Sequence, residues 1–445
     1  MIVNSTFNAP TTQQQAPVVQ TGERDSTDHP NVTDERDATD VQVGENDQTE
    51  VDDIQGDETD DVCSDDEPHA ANCSALDSAF ETSYSHFDPS KTWRLGSGRV
   101  VEDVLHSHYS EVRSSHVGTL VRDWVIDLGN KTMQAWFTRQ EWVEIMDAVP
   151  RLQTPTPEFA KSLTRFCEVT TGELRKVIST TSYLPQGVSY SNDVHFDWEW
   201  AEMAVLDFLR QCENQSETTF AANHLEQTFC YRYWYLLDKI FLSVPGVTFV
   251  RRESTCRASS LRKNQDRVET STRQKIGRRF DGILRSFEDG SQEFVAVEAA
   301  RRLIGGAEAT KWMKDSRKVE KALRDMLGRL HDVVGHDWKI IPNLEVVGIN
   351  TAGFDFQTCR MSHPKGHVCL LKWEATRRFP TSVSQLQELL LLLAHIVQIK
   401  GVVARTVKAV RGRLQAPSAA VLYDAIMAVG TDNSYSTLPC AANTP

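Results

Sequence analysis

Several familiar signatures are missing from this 445-residue chain, and each absence removes a class of function. Its nine cysteines, at 63, 73, 167, 212, 230, 256, 359, 369 and 440, include no CxxC pair. An odd, scattered set argues against a disulfide framework or a zinc ribbon. It fits a reducing compartment, nucleus or cytoplasm. There is no P-loop, GxGxxG, GxSxG or HExxH motif, so phosphate-loop, dinucleotide, serine-hydrolase and zincin chemistries lack their anchors. The start, MIVNSTFNAPTTQQQ, has no basic region followed by an apolar one, which argues against a secretory signal. The most apolar run, Leu389 to Ala394, is interrupted by His395, Gln398 and Lys400, so it reads as a buried helix and predicts no membrane span.

Basic and aromatic residues are scarce at the beginning. Residues 1–85 hold 21 acidic side chains against only Arg24 and Arg36, a net of −19, and almost no aromatic residue before Phe80. Such a segment cannot bury enough apolar surface to offset its ordering entropy, which predicts a disordered acidic tail over 1–85. Because the whole chain is −14, residues 86–445 carry +5. Charge is concentrated again from Arg251 to Leu330, with 20 basic and 12 acidic residues. A basic stretch of that density suits a phosphate-bearing partner through counterion release, although a solvated face would look the same.

The remaining pattern predicts an α/β (α+β) fold, a mixed central sheet flanked by helices. A flank over 90–195 is expected to contain a helix at Val100–His108, a strand at Thr119–Leu128 and helices at Thr138–Val149 and Pro157–Cys167. A core over 196–430 should follow. Its helices are expected at Glu199–Glu213, Ala222–Leu242, Ala309–Val334, Ser382–Val403 (continuing toward Arg413) and Ser418–Val429. Strands are expected at Val247–Arg251, Arg278–Ser286, Gln292–Ala299, Leu344–Ile349, Phe354–Cys359 and His367–Trp373. The polar, basic Arg252–Ile276 lacks periodicity and reads as a loop that grips a nucleic-acid backbone, with Arg257, Arg262, Lys263, Arg278 and Arg279 as contacts. Residues 431–445 read as a disordered end. His331 and His336 stand five apart without a third ligand and read as surface residues.

The organising stretch is Gly277–Leu330. It places Asp281 in one strand and Glu298 in the next, 17 residues apart, with Glu288-Asp289-Gly290-Ser291 as the turn between. Two carboxylates at one end of a hairpin repel unless a cation, a proton or a basic side chain stands between them. For Glu298 a metal ion is one such partner, and an ion pair with Arg278, Arg279 or Lys311 is the other.

The motifs SGRVVED (97–103), RRFD (278–281), EFVAVEA (293–299) and KDSRKVEKALRDML (314–327) resemble those of a group of fungal proteins related to the PD-(D/E)XK nuclease-like core. The order of elements is similar too: helix with acid, strand, Asp strand, Glu strand, basic helix, strand. The resemblance covers Trp93 to Arg413. It implies that Asp281 and Glu298 bind a divalent metal, Mg²⁺ by the hardness of the ligands, with assistance from Glu226. It also implies phosphodiester hydrolysis of DNA or RNA, by activation of a water for attack on phosphorus. The sequence departs from the family at the lysine two residues after the Glu, where Ala300 stands. Lys311 is the substitute that the sequence offers, and weakened catalysis is the expectation. A non-catalytic nucleic-acid- or protein-binding module on the same scaffold is the alternative, and an interaction protein without nucleic acid is a third.

Overall fold

The computed structural model describes residues 70–415 apart from 168–169, 215–225, 266, 268–272, 289 and 301–309. The helix expected at Ser418–Val429, the tail up to residue 69 and the 431–445 end lie outside the described residues.

The N-terminal flank is helical. It comprises α1 (Ala70–Ser85), α2 (Val101–Val112), α3 (His116–Arg122), β1 (Val125–Asp127), α4 (Lys131–Ala135), α5 (Arg139–Asp147), α6 (Pro157–Thr164) and α7 (Thr171–Thr180). The expected tail over 1–85 therefore needs correcting at its end. Leu76 and Phe80, one helical turn apart, are both buried, and Phe80 packs 4.3 Å from Tyr109 and 4.7 Å from Trp124 between ring centres. The strand expected from Thr119 is a helix up to Arg122. Ser115 Oγ caps it by accepting from Gly118 N, and β1 begins only after Trp124 turns the chain at φ 57°. Thr138 and Glu141 form a reciprocal capping box that fixes the start of α5.

Next come α8 (Asn192–Asn214), α9 (Glu226–Arg232) and α10 (Tyr235–Ile240), then β2 (Val247–Thr255), α11 (Arg257–Lys263), β3 (Arg279–Ser286), β4 (Glu293–Ala300), α12 (Thr310–Val333), β5 (Glu345–Ala352), β6 (Asp355–Lys365), β7 (Val368–Trp373), β8 (Arg377–Arg378) and α13 (Leu386–Leu414). The expected helix Ala222–Leu242 is broken near Trp234, whose buried indole donates to Gly353 O at 2.8 Å. The expected basic loop contains both the end of β2 and all of α11. The Glu293 carboxylate organises that helix by accepting from Arg257 N and Ala258 N, each at 3.0 Å.

The strands form one mixed sheet in the order β1-β7-β6-β5-β4-β3-β2, with β8 also paired to β6. The β4–β5 and β1–β7 pairs are parallel and the others antiparallel. The flank thus contributes an edge strand to the sheet of the core. Both β4 and β5 are buried along their whole length, which explains their near-continuous apolar sequences.

Helices cover both faces. On one face α12 lies over β4 and β5. A Cβ at Gly348 would meet Val319 Cγ1 at 2.3 Å, so glycine there sets how closely helix and sheet approach. On the other face α13 packs against β4 and β5, and its His395 bonds the Thr358 hydroxyl of β6 at 2.9 Å. Val383–Leu414 is long and apolar enough to cross a membrane by length and composition alone, but its inner side is buried by the sheet.

Candidate active site

Asp281 and Glu298 meet at one end of the β3–β4 pair. Gly282 lies opposite Val297, and carrying that register one residue further sets Asp281 against Glu298 on the face covered by α12. Asp281 Oδ2 accepts from Ala299 N at 2.7 Å, which locks its carboxylate against β4. Glu298 is only 6% exposed, so its charge requires a partner.

That partner is Lys318, a residue absent from the expected set. Its Nζ stands 2.7 Å from Glu298 Oε1 and 5.0 Å from the centre of the Phe280 ring. Lys311 instead pairs with Glu226, at 3.5 Å. Asp315 completes the group. Residues 311, 315 and 318 are spaced i, i+4, i+7 and so project from one side of α12 toward the hairpin.

Ala300 now has a physical explanation. It pairs in register with Ala352, and the two form a small apolar cluster with Trp312 of α12. A lysine at 300 would have to displace that indole. The ammonium group comes from the helix above, one turn and a half beyond Trp312.

Electrostatics mark this cluster as short of positive charge. Burial, reinforced by Asp281 and Asp315, holds Glu298 well above the usual carboxylate range, although Lys318 opposes the shift. Burial and then Asp281 raise Glu226 against the pull of Lys311. Asp315 is pushed up to about 6 by burial, with Asp281 adding to it and both lysines opposing. Burial alone would lower Lys311, but Glu226 and Asp315 outweigh it and leave it raised. Four carboxylates share two ammonium groups, and three of them, Glu298, Glu226 and Asp315, are shifted toward the protonated form.

The donor set suits a hard divalent cation in its chemistry, because carboxylate oxygens and a deficit of positive charge are what such an ion answers. Among the described residues no three His, Cys, Asp or Glu side chains are grouped as a ready ligand set, and Glu298 is engaged by Lys318. A cation would therefore enter by displacing protons and sharing Glu298 with the lysine.

The expected nucleic-acid contacts separate into different environments. Arg257 and Arg279 are exposed, while Lys263 and Arg278 are half-buried. Arg262 is buried, with its Nε 2.7 Å from Asp325 Oδ1, and helps pin α11 to α12. His331, expected at the surface, is fully buried and stacks 5.1 Å from His363. His336 is exposed, as expected, and pairs with Asp332.

No protein-family model matches this sequence, and searches of curated proteins and of solved structures also return no match.

Proposed function

We propose that this chain is a PD-(D/E)XK-like, Mg²⁺-dependent nuclease acting on DNA or RNA. The observation that carries this is the contact of Lys318 with Glu298 beside Asp281, which supplies an Asp, Glu and Lys in one place despite Ala300. The order of elements supports it: a helix bearing Glu226, β2, the Asp281 strand, the Glu298 strand, a basic helix, and then β5 parallel to β4.

In this scheme Asp281 and Glu298 hold the divalent cation and Glu226 assists. Such an ion supplies Lewis acidity toward phosphate oxygens. Lys318 orients the attacking water and offsets charge on the phosphorane-like oxygens. Asp315, poised to exchange protons near neutral pH, serves the leaving group or the water. Arg279, exposed on β3 two residues from Asp281, and Arg257 meet the nucleic-acid backbone.

The test is cleavage of labelled single- and double-stranded DNA and RNA with Mg²⁺, comparing wild type with Asp281→Asn, Glu298→Gln and Lys318→Met. Each variant is expected to lose at least about 100-fold in rate. Salt-sensitive binding without cleavage, unchanged in Asp281→Asn, would instead establish the binding-module alternative.

A further inference from the structure

A cavity lies on the other flank of α12. It measures about 200 Å³ and is lined by His116, Trp312, Ser316, Glu320, Gln357 and Trp373, with Arg317 at the same wall. Its size is below the roughly 300 Å³ at which pockets for drug-sized ligands begin, so it suits one planar ring system.

The cavity is joined to the acid cluster by the sheet itself. Glu298 pairs with Asn350 across β4–β5, and Asn350 pairs with Gln357 across β5–β6. Register partners share a face, so a polar row runs Glu298–Asn350–Gln357 beneath α12. Asn350 is 1% exposed and donates to Ser316 Oγ at 2.9 Å, and Ser316 lines the cavity. Its amide oxygen, Oδ1, is buried without a hydrogen-bond partner. The two sites therefore flank one helix, roughly 10 Å across.

The lining has a definite chemistry. Two indoles supply flat apolar surface. Gln357, which lines the cavity, donates its amide nitrogen to Glu374 O at 3.1 Å, so its carbonyl oxygen is the group left to accept. Glu320, 4% exposed and 3.0 Å from His116 Nε2, is a second acceptor. Arg317 is exposed and carries the positive charge at the rim. Aromatic walls, acceptors inside and a cation at the mouth describe a nucleotide held by its base.

We infer that this cavity is a nucleobase subsite that stacks a base on Trp373 or Trp312, accepts from its exocyclic amino group at Gln357 and Glu320, and holds its phosphate by Arg317. The inference rests on the nuclease proposal for its place in a reaction, since it would seat a nucleotide next to the one being cleaved. Two acceptors, Gln357 and Glu320, match the two N–H donors of an exocyclic amino group, so the subsite favours adenine, cytosine and guanine over uracil.

The experiment is equilibrium binding of AMP, CMP, GMP and UMP to the full chain without divalent metal, read by titration calorimetry. The expected result is binding of the three amino-bearing nucleotides ahead of UMP. Trp373→Ala should weaken it about tenfold or more, and the exposed-site variant Arg317→Ala a few-fold. Asp281→Asn should leave it unchanged. If Trp373→Ala fails to fold, Arg317→Ala and Gln357→Leu serve the same comparison. No mononucleotide binding, or binding indifferent to Trp373, Arg317 and Gln357, overturns the subsite even if the chain cleaves nucleic acid. Base binding lost in these variants supports it even if Mg²⁺-dependent cleavage is never seen.

Discussion

Two buried charge clusters stand at opposite ends of β5 and follow different rules. At the start of the strand, Glu345 meets Arg360 Nη1 at 2.6 Å and Arg405 at 3.0 Å, and Arg360 also reaches Glu374 at 3.1 Å. Two acids face two guanidinium groups that stay charged at any working pH, and Arg360 closes the network on Pro150 O. Near the other end, beside Asn350, four carboxylates face two ammonium groups, and burial holds Glu298, Glu226 and Asp315 above the usual carboxylate range, as it also does Glu345. The first cluster matches two acids with two guanidinium groups and fixes the sheet to α13 and the flank. The second sets four acids against two bases. A protein retains such an imbalance at a cost in stability, which is the pattern expected of a binding or catalytic site.

The largest effect that would sharpen this contrast is on the balanced side. Arg360→Met would leave buried Glu345 with Arg405 alone and Glu374 with only Lys372, 3.8 Å away, and should cost about 3–5 kcal/mol in chemical denaturation. Glu298→Gln, on the neighbouring strand β4 opposite Asn350, should be close to neutral or stabilising at pH 7.5 because it removes a poorly compensated buried charge. Similar losses in both variants would break the comparison.

A smaller effect tests the deficit of positive charge directly. Asp315 carries a raised pKa in the folded chain, so its ionisation opposes folding. That penalty is absent below the unfolded value near 3.8 and grows as pH rises through about 6. Asp315→Asn should therefore raise stability by about 1 kcal/mol at pH 7.5 and change little at pH 4. A loss of stability at pH 7.5 would assign Asp315 to structural ion pairing.

Much of this architecture is legible in the sequence, and the parts that are not share a cause. The mixed sheet, the β3–β4 hairpin with its two acids and the long amphipathic α12 follow from short-range periodicity and turn residues. The role of Lys318 does not, because it depends on how α12 is rotated over the sheet, which Gly348 and the Trp312–Ala300 contact decide. Yet Lys318 lies within the motif 314–327, four residues beyond Lys314 and seven beyond Lys311, so helical spacing carried a signal. Arg262 looks like a surface cation until Asp325, 63 residues on, is brought beside it. In α1 the apolar stripe is as short as Leu76 and Phe80, and the acidic composition around it conceals a helix. Each miss is a long-range contact overriding local character.

The most direct measurement is titration of Mg²⁺ into the full chain at pH 6 and pH 7.5, in buffers of different ionisation heat so that proton release is counted. The account predicts saturable binding with proton release, weaker at pH 6, abolished by Asp281→Asn and Glu298→Gln and preserved in a folded Arg405→Lys control. No saturable binding by the wild-type chain, or binding that persists in both carboxylate variants, would contradict it.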